Sequence, residues 1–413
     1  MSNKKQASLV GKGYMLSFFL ITFFFFLWGF ARAILDVLNP YFQESMALTK
    51  TEASAVQFVT YLAYFIMAVP AGIFIRKYGT RKGVVLGLMV FGLAATFFYF
   101  NSYAGKAVFY YYLFLLFVIG CGLACLEVAA NPYVTLLGAK ETAASRLNRA
   151  QSFNGLGCIG GSLLGGFYCF SNESPDISYP YIIIGIVVLV IAMIFSRIKL
   201  PEFVIKNSSS QVVISNDKIY KHPMFIFGLV ALFCYEVSEI SINSFFINYA
   251  AENDLTGLIT HQLSGMNPKL IASIVLSIGL LLFMGGRFVG SWIMEYIRAE
   301  KILLICAISA VIMTSIVVMD WPVVSLIAAM FIFVSESIMF PTIFALSIRD
   351  LGGLTQKASS ILMMTPIGGA VGTVLMGIAA DQSTVTLSFL VPLISFGVVL
   401  IYANMIVARA SKN

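Results

Sequence analysis

Charge is scarce in this chain. Only 11% of its 413 residues are Asp, Glu, Lys or Arg while 59% are hydrophobic, whereas ordinary soluble domains are about a quarter charged. With a mean hydropathy of +0.91, a soluble globular class is excluded and an integral membrane protein is indicated. Histidine is nearly absent: His222 and His261 are the two in the chain, both near loops, which excludes a histidine proton relay. The six cysteines (Cys121, Cys125, Cys158, Cys169, Cys234 and Cys306) sit in or at the edges of apolar runs, without metal-ligand spacing to a histidine. Disulfides and bound metal are therefore not expected, and the thiols read as small packing groups. No P-loop, nucleophile elbow, zinc motif or nucleotide fingerprint occurs, so ATP-driven pumping is excluded and no cofactor is expected. No period-two alternation at barrel spacing is present, which excludes a β-barrel.

What is present is a series of long apolar runs. A helix needs about 20 apolar residues to cross the hydrocarbon, and twelve stretches meet that need: 15–42, 53–75, 83–104, 108–137, 150–171, 180–197, 223–250, 270–294, 302–319, 321–348, 358–380 and 385–408. Met1 to Lys12 is short and basic, and the apolar run after it exceeds a signal-peptide core, so a retained first helix is expected. Of the 26 Lys and Arg, 21 fall at the amino terminus, in alternate loops and at the carboxyl terminus; only Lys50, Lys106 and Lys269 fall on the other side, with Arg32 and Arg287 inside spans. That asymmetry puts both termini in the cytoplasm. It also accounts for the net charge of +7 without any nucleic-acid partner.

The longest basic-side connection is serine-rich around Asn207 and divides the chain into a bundle at 1–197, a linker at 198–222 and a bundle at 223–413. The halves read as a diverged repeat. Glu127 precedes Pro132 by five residues, as Glu336 precedes Pro341. The next span in each half is glycine-rich, and Ala71-Gly-Ile-Phe-Ile-Arg-Lys-Tyr78 echoes Val289-Gly-Ser-Trp-Ile-Met-Glu-Tyr296. The expected fold is thus all-α, with twelve transmembrane helices in two pseudo-symmetric six-helix bundles. Pro40, Pro70, Pro132, Pro341 and Pro366, inside or near the ends of spans, read as helix-shaping residues.

Acids fall inside every third span: Asp36 in the first, Glu127 in the fourth, Glu236 and Glu239 in the seventh, Glu336 in the tenth. A carboxylate at bilayer depth costs at least about 2.5–3.5 kcal/mol, so each needs a task or a partner. The period points to one helix of each triplet facing a shared wet interior. Glu127 is the lone charge among the 33 residues from Ala107 to Ala139. It is either a proton carrier or a protonated strut between helices. Asp36 lies one helical turn from Arg32, as a static ion pair or a switching one. Glu236 and Glu239 share a face with Ser238, Ser241 and Asn243, lining a binding site or forming a packing network. Gln151 and Asn154 open the fifth span with uncharged amides that suit a polyhydroxylated ligand or bond helix to helix. Arg287 snorkels or bonds a backbone carbonyl as part of a gate.

Twelve spans in two repeated sixes resemble the major facilitator superfamily. In the loop after the second span Gly72, Lys77, Gly79 and Arg81 fit its signature, and Arg76 stands where an Asp is usual. Closer still, Leu35-Asp-Val-Leu-Asn-Pro-Tyr-Phe-Gln43, Cys125-Leu-Glu-Val-Ala-Ala-Asn-Pro-Tyr-Val134, Leu147-Asn-Arg-Ala-Gln-Ser-Phe-Asn154, Gly286-Arg-Phe-Val-Gly290 and Phe340-Pro-Thr-Ile-Phe344 resemble the fucose permease type of sugar–proton symporter. The resemblance implies that Asp36 and Glu127 couple protons to transport and that Gln151 and Asn154 contact sugar. Arg32, Ala33 and Leu35 stand where that family has asparagines, and Glu239 where it has a glutamine, so the sugar-side surface differs. The expectation is a monomeric sugar:proton symporter of the bacterial inner membrane. It would carry a neutral hexose or deoxyhexose by alternating access, with Glu239, Asn243 and Glu336 on the substrate side and Arg32 and Arg287 as charge partner or gate. An amino sugar, drug or other small solute on the same fold is the alternative, and an intramembrane transferase the more distant one.

Overall fold

The computed structural model describes residues 13–100, 106–137, 143–171, 178–197, 219–252, 267–294, 296–349 and 361–410, with 176, 351, 354 and 358 between them. The linker expected at 198–222 lies outside the described residues up to 218, and His261 is outside them too. All regular structure among the described residues is helical. The helices are α1 (Met15–Ser45), α2 (Lys50–Tyr78), α3 (Thr80–Thr96), α4 (Lys106–Leu136), α5 (Ala143–Ser171), α6 (Ser178–Arg197) and α7 (Pro223–Glu252). Then come α8 (Pro268–Ile293), α9 (Ala299–Val318), α10 (Pro322–Glu336), α11 (Met339–Ile348), α12 (Ile367–Gln382), α13 (Val385–Ser388) and α14 (Leu390–Ala410). Among the described residues, ten helical stretches are long and apolar enough to cross a membrane; α10 with α11, and α13 with α14, each make one span. The glycine-rich α5 and the shorter apolar α12 complete the twelve.

Local sequence explains the ends. A capping box opens α2: Thr49 N–H donates to Glu52 Oε2 at 2.9 Å and Glu52 N–H to Thr49 Oγ1 at 3.1 Å. At α8, the Asn267 side chain accepts from Lys269 N–H at 2.9 Å, with Pro268 in the first turn. Gly79 joins α2 to α3 at φ 91°, where a side chain would be strained. The sequence predicts the eleventh span as one helix from 358; Ala358, Ile361 and Leu362 are helical, a turn interrupts over 363–366, and helix resumes at Ile367. Pro366 has no N–H, and the preceding turn is held by i+3 bonds from Met364 N–H to Ile361 O and from Thr365 N–H to Leu362 O, both 3.1 Å.

The chain divides into two compact units. One comprises Met1–Ile34, Ile66–Gly161 and Asp176–Asn207; the other comprises Leu35–Phe65, Ser162–Pro175 and Ser208–Asn413. In the first unit, glycines bring backbones into contact, the usual device where lipid removes any hydrophobic drive between helices. A Cβ at Gly122 of α4 would lie 2.7 Å from the Gly87 carbonyl of α3. One end of α3, α4 and α6 is fastened by the Phe98 ring, 4.9 Å from Tyr112 and 4.2 Å from Tyr181, both stacked.

The second unit is centred on α7, which packs on α8, α11, α12 and α14. From Tyr235 to Ala250 every residue of α7 is buried. Gly372 of α12 meets α7 backbone, where a Cβ would lie 2.9 Å from Val237 Cα. Outward faces are apolar instead: Ile394 and Ile401 of α14, two turns apart, are 70% and 63% exposed. A solvated surface would not carry such a stripe, whereas lipid welcomes it.

Candidate functional site

The sequence predicts the tenth span as one continuous helix, but it breaks at Ser337 and Ile338, between α10 and α11. The cause is Pro341, which has no N–H to give the Ser337 carbonyl one turn earlier. Arg287 Nε donates to that carbonyl at 3.0 Å, and the Tyr235 hydroxyl donates to the Glu336 carbonyl at 3.2 Å. Both carbonyls freed from the helix are therefore satisfied by neighbouring helices. The Arg287 guanidinium also lies over the Phe283 ring at 4.7 Å. Arg287 thus bonds a carbonyl, one of the two roles its sequence position allowed.

Glu336 at the break is fully buried, and Glu236 and Glu239 of α7 are buried as well. Tyr235 lies within electrostatic reach of all three acids and of Arg287. The structure therefore gathers Glu236, Glu239, Glu336 and Arg287 around one tyrosine. Nearby on α7, Ser241 turns its hydroxyl to the Val237 carbonyl at 2.5 Å. Asn243 is buried, and its Oδ1 accepts no hydrogen bond among the described residues.

Asp36 of α1 belongs to the same unit and is 5% exposed. Gln57 of α2, fully buried, donates from Nε2 to Asp36 Oδ1 at 2.9 Å. From there α1 runs beside α7 in parallel register. Asn39 Nδ2 donates to Ser244 Oγ at 2.6 Å, and Asn248 Nδ2 to Gln43 Oε1 at 2.8 Å. Both pairs are 205 residues apart.

Beyond this ladder the base-poor ends of α1, α2 and α5 are tied to α7, α8 and α12. The Asp381 carboxylate accepts the backbone N–H groups of Lys50 and Thr51, each at 2.8 Å, and so caps α2 from another helix. Lys50 Nζ pairs with Glu252 at 3.0 Å, and Lys269 Nζ with Glu44 at 2.8 Å. Ser162 Oγ donates to the Ser273 carbonyl at 3.3 Å. Two of the three bases that the sequence left on this side are spent on the seam.

The other expected residues lie in the first unit. Glu127 of α4, Gln151 of α5 and Arg32 of α1 are partly buried. Asn154 is buried and donates from Nδ2 to the Phe25 carbonyl of α1 at 3.2 Å, so its amide joins helix to helix. Sequence reasoning missed several polar residues, among them Gln57, Tyr235, Ser244, Asn248 and the seam acids Glu44, Glu252 and Asp381. Gln57 had a signal, being the one amide of the second span.

The family model described as Major Facilitator Superfamily matches residues 19–365. The chain belongs to that superfamily. Among its relatives it is 31% identical to the "Glucose/galactose transporter" of Brucella abortus biovar 1 (strain 9-941) over 402 residues, 95% of this chain and 94% of the relative. It is 32% identical to the "L-fucose-proton symporter" of Escherichia coli (strain K12) over 423 residues, 95% of this chain and 93% of the relative. The solved structure of the E. coli fucose:proton symporter superposes with TM-score 0.69 at 29% identity, over 96% of this chain and 99% of that one. A superfamily member of this kind is a membrane transporter and not an enzyme.

Proposed function

We propose that this protein is a proton-coupled symporter of a neutral monosaccharide, a hexose or deoxyhexose, working by alternating access as a monomer in a bacterial inner membrane. The observation that carries the reading is full-length similarity to relatives named for glucose/galactose and for L-fucose with a proton, in a chain whose spans hold Asp36, Glu127, Glu236, Glu239 and Glu336. Both termini are cytoplasmic, as the loop charges require. The moving parts are the halves 1–197 and 223–413, joined by 198–222.

With that orientation the seam of Asp381, Lys50, Glu252, Lys269 and Glu44 is an outer gate in its closed state. Asp36 and Glu127 take up protons from outside. Their neutral forms let the loaded transporter reorient, since a neutral acid crosses low-dielectric surroundings at far less cost than a carboxylate. Gln151, Asn154, Glu239, Asn243 and Glu336 contact the sugar hydroxyls. For Asn154 that contact requires its amide to exchange the Phe25 carbonyl for a hydroxyl. Arg287 acts as a gate-side fastening, and Arg32 is the charge partner of Asp36 on α1.

The experiment is proton uptake by proteoliposomes on addition of glucose, galactose, L-fucose and other neutral sugars, followed with a pH electrode in a weakly buffered medium. Wild-type protein should alkalinise the medium with at least one of them, and Asp36→Asn and Glu127→Gln should not. Wild-type coupling in both variants, or alkalinisation without sugar, rejects the reading.

A further inference from the structure

Gln57 sits where a proton on Asp36 would be felt. It is the one amide in the second span, fully buried, and its Nε2 holds Asp36 Oδ1 at 2.9 Å. Its other polar atom, Oε1, is buried with no hydrogen-bond partner among the described residues. Neighbouring hydroxyls do not serve it: Ser54 Oγ is bonded to the Thr51 carbonyl at 2.7 Å, and Thr60 Oγ1 to the Val56 carbonyl at 2.9 Å. A carboxamide presents a donor and an acceptor on one edge. Toward a carboxylate only the donor is useful. Toward a carboxylic acid both are: Nε2–H to one oxygen, and Oε1 receiving the acid O–H, in a closed two-bond ring.

We propose that Gln57 is the positioning residue that reads the protonation state of Asp36, binding the carboxylate by one hydrogen bond and the neutral acid by two. The inference rests on the reading of Asp36 as a proton carrier. Its energetic sense follows from the orphan acceptor. With Asp36 ionised, the single charge-assisted bond is opposed by the cost of leaving Oε1 dry and unpaired. With Asp36 neutral, both bonds form and that cost disappears. Gln57 therefore favours the protonated, transport-ready form and fastens α1 to α2 while the proton is on.

Other groups set the background without replacing this link. On α1 Arg32 lies one turn back; on α7 Glu239 lies five residues before Ser244, the partner of Asn39. On α2 no acid or base lies between Glu52 and Arg76, the tyrosines there being Tyr61 and Tyr64, and α5 has no charge after Arg149.

The test is sugar counterflow, which needs no net proton movement, measured against pH beside sugar-driven proton uptake. Gln57→Met keeps the length and removes the amide. It should move the half-maximal pH of counterflow to the acid side by about one unit, so that rates on the alkaline flank fall about tenfold, with near-wild-type counterflow at acid pH. In an Asp36→Ala background the same substitution should change nothing further. An unchanged midpoint, an equal loss at every pH, or an additive loss in Asp36→Ala makes Gln57 a packing residue and overturns the inference alone. Sugar-driven proton uptake that survives Asp36→Ala overturns the proton role of Asp36 as well. Gln57→Glu, equal in size and shape, repeats the test if Gln57→Met fails to reach the membrane: a wild-type pH profile there again overturns the inference.

Discussion

The fourth and tenth spans carry the same signal and adopt different backbones. Each has a lone buried-span Glu five residues before a proline. In the first half α4 is helical through Pro132 to Leu136; in the second, α10 stops at Glu336 and α11 starts at Met339. Proline frees the carbonyl one turn earlier in both. The second half meets that carbonyl with Arg287 of α8 and turns the Glu336 carbonyl to Tyr235. Aligning Val289 with Ala71 puts Val69 at the position of Arg287. Val69 is 56% exposed and offers no donor. A helix break is thus decided by the donor on the neighbouring helix as much as by the proline. The consequence is local: Glu336 at the break is fully buried, while Glu127 is only partly so.

The largest effect on the tenth span is expected from Arg287→Met. It leaves the Ser337 carbonyl without its donor and removes the one cation of the acid cluster. The expected loss is about 2–3 kcal/mol, read as a lower melting temperature in detergent, with Arg287→Lys recovering only part because the planar Nε geometry is lost. An unchanged melting temperature denies the break its dependence on Arg287. Next is Pro341→Ala, which returns an N–H to the Ser337 carbonyl and lets α10 continue into α11. Sugar uptake should fall about tenfold without loss of stability, by a change of about 1–2 kcal/mol in the preference for the broken state. Pro132→Ala, in a helix already continuous, should do much less; equal effects would erase the distinction between the halves.

Smaller effects come from the seam. Asp381→Ala removes the cap that α12 gives α2, worth about 1–2 kcal/mol. A cysteine placed at Asn248 should then be alkylated from outside roughly fivefold faster. No change in labelling means that Asp381 does not help hold that side shut. Lys269→Ala is the least consequential, because Glu44 is 59% exposed and such pairs contribute under about 1 kcal/mol. Labelling at Asn248→Cys should stay within about twofold of the parent.

The twelve spans were legible because length and apolarity alone define them, and the acids were legible because charge in an apolar run is conspicuous. What was hidden depends on a second helix. Pro341 and Pro132 look alike until Arg287 is placed beside one of them. Asn39 and Gln43 read as part of an α1 motif, and only packing at a constant offset of 205 residues reveals Ser244 and Asn248 as their partners. Gln57 escaped notice because a neutral amide scarcely disturbs a hydropathy pattern. Asn154 was legible as a polar group, but its bond to the Phe25 carbonyl required the close approach of α1 and α5.

On this reading the acids of α1 and α4 tie sugar movement to protons. The decisive measurement is accumulation of labelled sugar in proteoliposomes under an imposed inward proton gradient. Wild-type protein should concentrate the sugar above the medium and lose that accumulation on adding a protonophore, while Asp36→Asn and Glu127→Gln should reach equilibrium and go no further. Accumulation that ignores the gradient, or that persists in both variants, contradicts the account.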